Sequence, residues 1–267
     1  MPSKVAIAIG AHPDDIEFYM AGTLLLLKQA GYEIHYLNVA SGNCGSVQYN
    51  GPTTRSIRNT EARAAAKTLG AHFHPSITDD LEVIYNLGLL RALSAIIRDV
   101  KPKIVLTHSP QDYMEDHTNT SRLAVTAAFT RGMPNFKTAP ARPTADYEVT
   151  VYHALPHGLC DQLRRRIVPG AFANTTSVHK TQLKALAAHK SQQNWLDVSQ
   201  GLNSYLLAME DMALEVGRMS KRFKYAEGWR RHLHFGYCAP DADPLAPALG
   251  KNYLVNEAYE RGLEKGF

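Results

Sequence analysis

Val5-Ala6-Ile7-Ala8-Ile9-Gly10 runs without a break into Ala11-His12-Pro13-Asp14-Asp15, and the fold is decided at that join. The first six residues are continuously apolar, the pattern of a strand buried on both faces of a parallel sheet. Ligands of open α/β sheets bind beyond the carboxyl ends of the strands, which is where the polar cluster falls. His12 and Asp15, three residues apart, can converge on one metal ion. Asp14 between them points elsewhere and is free to act as a base. Pro13 fixes φ and stiffens the turn that presents them. Two plainer readings compete. Aspartates after a strand can simply cap the next helix. An acidic pair also closes the first strand of phosphoacceptor receiver domains, but those are much shorter than 267 residues and leave His12 without a task.

Working outward, Lys103 to His108 reads as another buried strand, entered through the turn Lys101-Pro102. The loop Ser109 to His117 follows, and helical periodicity resumes through Leu123, Val125, Ala127, Ala128 and Phe129. Asp116-His117 therefore stands at a strand-to-helix junction, like the first cluster, and on the same rim of the sheet. Two histidines and one aspartate leave a position open for water, the usual arrangement of a catalytic zinc site. His117 alone would be a helix-start or surface histidine; beside His12 and Asp15 the metal reading takes precedence.

The remaining pattern alternates. A helix follows the first cluster through Leu24 to Ala30, then a strand from Ile34 to Ala40, a helix from Arg55 to Leu69 stopped by Gly70, and a short strand from Ala71 to Ile77. Leu87 to Val100 is helical, Pro134 to Pro143 is a loop, and Tyr147 to Ala154 is a strand. Helices of this length between strands imply βαβ units. The expected class is α/β: a Rossmann-like, mostly parallel sheet flanked by helices. The C-terminal portion should be mainly helical, over 180 to 189 and 202 to 219. Residues 1–240 should form one domain, with 241–267 a tail packed on a neighbouring subunit or partly loose. The glycine-rich stretch Ser41 to Pro52 lacks the dinucleotide pattern and reads as a loop on the rim of the metal pocket.

In these residues the chain resembles the PIG-L/LmbE family of zinc-dependent deacetylases, which remove N-acetyl groups from N-acetylglucosamine-containing molecules. The resemblance rests on Ala11 to Asp15 with Glu17 and Ala21-Gly22-Thr23, on Arg58-Asn59-Thr60-Glu61-Ala62 leading to Leu69-Gly70, and on Asp116-His117. Weaker echoes are Ala188-His189-Lys190-Ser191-Gln192 and Tyr225-Ala226-Glu227-Gly228-Trp229-Arg230. By that similarity His12, Asp15 and His117 would hold one zinc ion per chain. Asp14 would be the general base, and Arg58 would orient substrate or the metal-site water. The family's third motif is usually His-Pro-Asp-His, but here it reads Met114-Glu115-Asp116-His117. A thioether supplies neither the proton nor the charge of the missing imidazole. His157, at the end of a strand that could join the same sheet, is the candidate replacement. Asp112 and Tyr113 flank the altered loop and are placed to touch substrate.

The implied function is hydrolysis of an N-acetyl or other acyl group on a small amino sugar or glycoconjugate. The alternatives are a zinc hydrolase of another amide or ester, and a catalytically weak binding relative. Composition narrows the partners. A formal charge of +4 with scattered Lys and Arg leaves no basic stripe for nucleic acid. No apolar run approaches the ~20 residues of a membrane span. Three cysteines far apart, Cys44, Cys160 and Cys238, favour a reducing compartment, and the N-terminus carries no secretory pattern, so a cytoplasmic protein is expected. A homo-oligomer is expected as well.

Overall fold

The computed structural model describes residues 4–193 and 205–264. Its first half alternates as the periodicity requires: β1 (Val5–Gly10), α1 (Asp15–Tyr19), α2 (Ala21–Gln29), β2 (Glu33–Asn38), α3 (Gly51–Leu69), β3 (His72–His74), α4 (Leu87–Val100), β4 (Ile104–Thr107) and α5 (Glu115–Phe129). The second half supplies β5 (Thr150–Ala154), β6 (Ala171–Asn174), α6 (His179–Leu186), α7 (Tyr205–Ser220), β7 (Ala226–Arg231), α8 (Leu245–Leu249), β8 (Tyr253–Val255) and α9 (Glu257–Glu264). One eight-stranded sheet results, in the order β3-β2-β1-β4-β5-β7-β6-β8. The pairs from β3 through β5 are parallel, and those joining β7, β6 and β8 are antiparallel.

The chain winds outward from β1 through β2 to β3, then returns to lay β4 against the other side of β1. That reversal is the switch point at which doubly wound sheets bind ligands. Local chemistry sets the helices around it. Asn50 accepts the Thr53 N–H at 3.0 Å to start α3, and Gly70 ends it at φ 68°. Asn86 caps α4 through the Leu89 N–H at 2.9 Å. Leu90, Leu93 and Ile97 of α4 and Leu123 of α5 bury one sheet face with Ile7, Ile9 and Val105. On the opposite face Leu24 and Leu27 of α2 and Ala62, Ala65 and Leu69 of α3 pack on Ala6, Ala8 and Tyr36. Every residue of β1 is buried, which its unbroken apolar run demands.

The expected α/β class holds, with differences in detail. The helix after the first cluster divides at Met20, where φ is −138°. The C-terminal portion contributes three strands as well as helices. β7 escaped sequence reading because Glu227 and Gly228 break its apolar alternation; Glu227 is nevertheless buried, accepting the Gly22 and Thr23 N–H groups at 2.8 and 2.7 Å. The tail returns to its own chain, where β8 pairs with β6. Residues 202–204 of the expected last helix, and 265–267 of the tail, lie outside the described residues. No helix among the described residues is long and apolar enough to cross a membrane.

Candidate active site

β1 and β4 run side by side, with Ile9 opposite Thr107, so both following loops open on the same rim. His12, Asp15 and His117 are all buried there, and one donor atom from each lies within 4.8 Å of the others. Asp15 is fixed by the Ala11 and His12 backbone N–H groups at 3.1 and 2.7 Å. Each imidazole is anchored from behind by another carboxylate. His12 Nε2 lies 3.0 Å from Asp116 Oδ2, and His117 Nδ1 lies 3.0 Å from Asp112 Oδ1. The remaining nitrogens turn inward: His12 Nδ1 is 3.5 Å from Asp15 Oδ2, and His117 Nε2 is 3.4 Å from Oδ1. Carboxylate-backed imidazoles are the usual support of metal ligands, because they set ring orientation and tautomer.

Electrostatics follows from this crowding. Burial works against a charged His12, but the hydrogen bonds to Asp116 and Asp15 outweigh it and lift the group to about 9. His117 is likewise buried, and the Asp15 charge and the Asp112 hydrogen bond raise it to about 10. Burial would raise Asp15, but His117 and His108 hold it well below the usual carboxylate range. Two imidazoles and one carboxylate, turned inward and already holding compensating charge, fit a divalent cation of borderline softness. His108 stacks on His117 at 4.1 Å between ring centroids. With Asp112 and His117 it forms a second convergent set that shares His117.

Asp14 stands apart from both sets. Its φ of 110° is a conformation that L-residues rarely adopt, at the start of α1. Its Oδ2 accepts the Tyr205 hydroxyl at 2.6 Å and lies 3.5 Å from Arg58 Nη2. Arg58, buried on α3, also donates to the Pro13 carbonyl. Burial raises the Asp14 pKa, and the Arg58 charge only partly opposes it. A cavity of about 390 Å³ opens over these groups, walled by Phe18, Tyr19, Tyr113, Met114, His157 and Tyr205. Cys44 and Gly45 of the glycine-rich loop complete its rim. His157 sits at the mouth, its Nδ1 3.1 Å from the Tyr19 hydroxyl. Desolvation and the nearby His117 charge lower its pKa, whereas burial holds the Tyr19 phenol well above its ordinary value.

Other polar residues near the rim have partners of their own. Asp112 is buried behind His117, Oδ1 3.0 Å from Nδ1 of that ring, and is not among the residues lining the cavity. Asp116 backs His12. His153 bonds the His108 carbonyl at 2.8 Å and His232 at 3.0 Å, away from the cavity. His189 is fully buried 3.5 Å from Glu17. Arg55 pairs with Asp79 on the exterior. Tyr205 and Tyr19 had no local signal; Tyr205 meets Asp14 across 191 residues of sequence. His108 did carry a signal that could have found it, its place at the end of a recognisable strand.

The PIG-L family profile, described as GlcNAc-PI de-N-acetylase, matches residues 7–128, the span that holds both metal-facing loops. The chain carries a PIG-L family domain. Beyond that domain, a diacetylchitobiose deacetylase of Thermococcus kodakarensis is 28% identical over 85% of this chain and 82% of its own length. A 4-oxalmesaconate hydratase of Pseudomonas putida is also 28% identical, over 72% of this chain and 76% of its own. The solved N,N'-diacetylchitobiose deacetylase of Pyrococcus horikoshii superposes with a TM-score of 0.70 at 22% identity, covering 91% of this chain and 89% of that one. That likeness establishes a shared fold. The profile match and the deacetylase relative support an enzyme of the deacetylase family.

Proposed function

We propose that this chain is a zinc-dependent N-deacetylase of a small amino-sugar-type substrate, with one cation held by His12, Asp15 and His117. The observation that carries the reading is the convergence of these three side chains beside Asp14, an acid outside the ligand set. When bound, such a cation lowers the pKa of water and polarises an acyl oxygen. The chain's own residues account for the rest. Asp14, its pKa raised by burial, takes the proton of water as the new C–O bond forms at the acyl carbon. Tyr205 and Arg58 engage its Oδ2 and hold the carboxylate in place, which leaves Oδ1 to accept the proton. Collapse breaks the C–N bond, and the proton passes from Asp14 to the departing amine, giving acid and free amine.

His157 takes the task that Met114 cannot. The Tyr19 phenol keeps its proton and donates it to His157 Nδ1, which places the imidazole hydrogen on Nε2. A neutral imidazole held in that tautomer donates to the developing oxyanion, and stabilising that charge commonly contributes more to acyl transfer than any other single effect. Tyr113, 59% exposed at the mouth, offers its ring to the sugar face. Hydration of a carboxylated substrate competes, because a hydratase stands among the relatives. The cavity argues against it. Arg58 is the one permanent cation among its described lining residues, and Pro13 and Asp14 already engage it. The three cysteines are free, in keeping with a reducing compartment.

The test is acetate release from N-acetylglucosamine and N,N'-diacetylchitobiose, with acyl esters and carboxylated dienes as comparison substrates. Zinc-loaded protein should release acetate from an N-acetyl sugar, and metal-stripped protein should not. Turnover confined to esters, or hydration without amide cleavage, overturns the proposal.

A further inference from the structure

The β3 edge of the sheet carries a second concentration of metal-ligating groups, remote from the cavity. His35 of β2 and His72 of β3 are register partners, and His74 follows two residues later. Strand alternation sends all three imidazoles, together with Glu33, to one face. The His35 ring lies 5.0 Å from that of His72 and 5.1 Å from that of His74. His35 Nε2 approaches Glu33 Oε1 at 3.0 Å, and His72 Nε2 approaches the same oxygen at 3.5 Å. Glu33 Oε1 thus lies near one nitrogen of each of two rings, and the exposed Glu33 and His72 side chains would have to close further on an ion. His74 Nε2, 2.9 Å from His35 Nδ1, holds the central ring in that orientation.

These groups can be satisfied without an ion, by a proton on His74 Nε2 given to His35 Nδ1 and one on His35 Nε2 given to Glu33. The same geometry permits the other tautomer. With the His35 proton on Nδ1, His74 accepts it, and the His35 Nε2 lone pair and the Glu33 carboxylate, 3.0 Å apart, are both left as donors for a cation. The side chains of His72 and Glu33 are 66% and 53% exposed, so both are free to close on an ion arriving from solvent. His35 at 11% supplies the fixed point.

We propose that Glu33, His35 and His72 form a second, surface site for a zinc-type divalent cation, with His74 orienting His35. Two imidazoles and a carboxylate suit zinc, and nickel or cobalt after it. A cation there clips the three-residue edge strand β3 to β2. The site involves none of the residues of the catalytic cavity and is independent of the proposed deacetylation.

Zinc content after equilibrium dialysis at low-micromolar free zinc tests it, with wild type compared to Glu33→Gln, His72→Ala and Asp15→Ala. Glu33→Gln and His72→Ala change exposed side chains, and circular dichroism checks that the fold is kept. Each should lose one zinc per chain relative to wild type, and Asp15→Ala should keep the edge zinc. In Asp15→Ala, zinc should also slow hydrogen exchange of the β3 amides, an effect that Glu33→Gln in the same background removes. Equal zinc content in wild type and both edge variants overturns the site. Loss that follows Asp15→Ala alone also overturns it, while loss that follows the edge variants alone supports this site and sinks the catalytic one.

Discussion

Asp14 concentrates the chemistry at the residue scale. Its left-handed backbone carries a buried carboxylate beside, not within, the metal-facing set. Asp14→Asn should lower turnover by about 10²–10⁴-fold, the usual contribution of a general base, with zinc content unchanged. Acetate release and metal analysis on the same preparation check both halves, and full activity in the variant removes the base assignment. His157→Ala should cost about 10²-fold, and Tyr19→Phe less, because the phenol acts only through the imidazole. Restoring the family histidine by Met114→His should change little if His157 already supplies the donor. The ligands make a further prediction. Without a cation, His12 at about 9 and His117 at about 10 are protonated at neutral pH. Zinc must displace those protons, so its affinity rises with pH until that range is passed. Calorimetric titration in buffers of different ionisation enthalpy should register proton release at pH 7; binding with no proton release contradicts the assigned ligands.

At the scale of elements, the antiparallel half of the sheet is tied to the catalytic half through Glu227. Its carboxylate, on β7, accepts two N–H groups of the first turn of α2 and the Gln182 amide of α6 at 3.0 Å. Such acceptance is favoured at the positive end of a helix dipole, and it satisfies donors that nothing else reaches. Glu227→Ala leaves those donors buried without partners and opens a void. A loss of about 3 kcal/mol is expected, read as a lowered midpoint in urea unfolding. A shift below about 0.5 kcal/mol would mean that water replaces the carboxylate. Gly22 shows how close this junction is: a Cβ there would stand 2.4 Å from Thr175 Cγ2.

For the whole molecule, the cation would link the loops after β1 and β4 at the switch point, so its removal should be felt globally. Zinc at 100 times its dissociation constant adds about 2.7 kcal/mol to the native state. For a chain of this size that corresponds to a rise in Tm of roughly 5–10 °C over chelated protein. Scanning calorimetry with and without chelator measures it. In Asp15→Ala the part due to the catalytic site should vanish, and a chelator-insensitive wild type would show that this cluster holds no cation.

The apolar run of β1, the glycine that stops α3, the span of α4 and the pairing of His12 with Asp15 were all written in local order, and sequence reading reaches them. These are effects of neighbours within a few residues, where side-chain period and turn chemistry act directly. The parallel order and the convergence of His117 on the first cluster followed one step later, from the rule that strand ends share a rim. What tertiary packing alone decided lies across long separations: Tyr205 on Asp14, Tyr19 against His157, and Glu227 of β7 against the start of α2. Burial turns each of these polar groups toward whichever partner the fold brings near, because an unpaired polar atom costs more there than any local preference can offset. No pattern along the chain encodes which partner that will be.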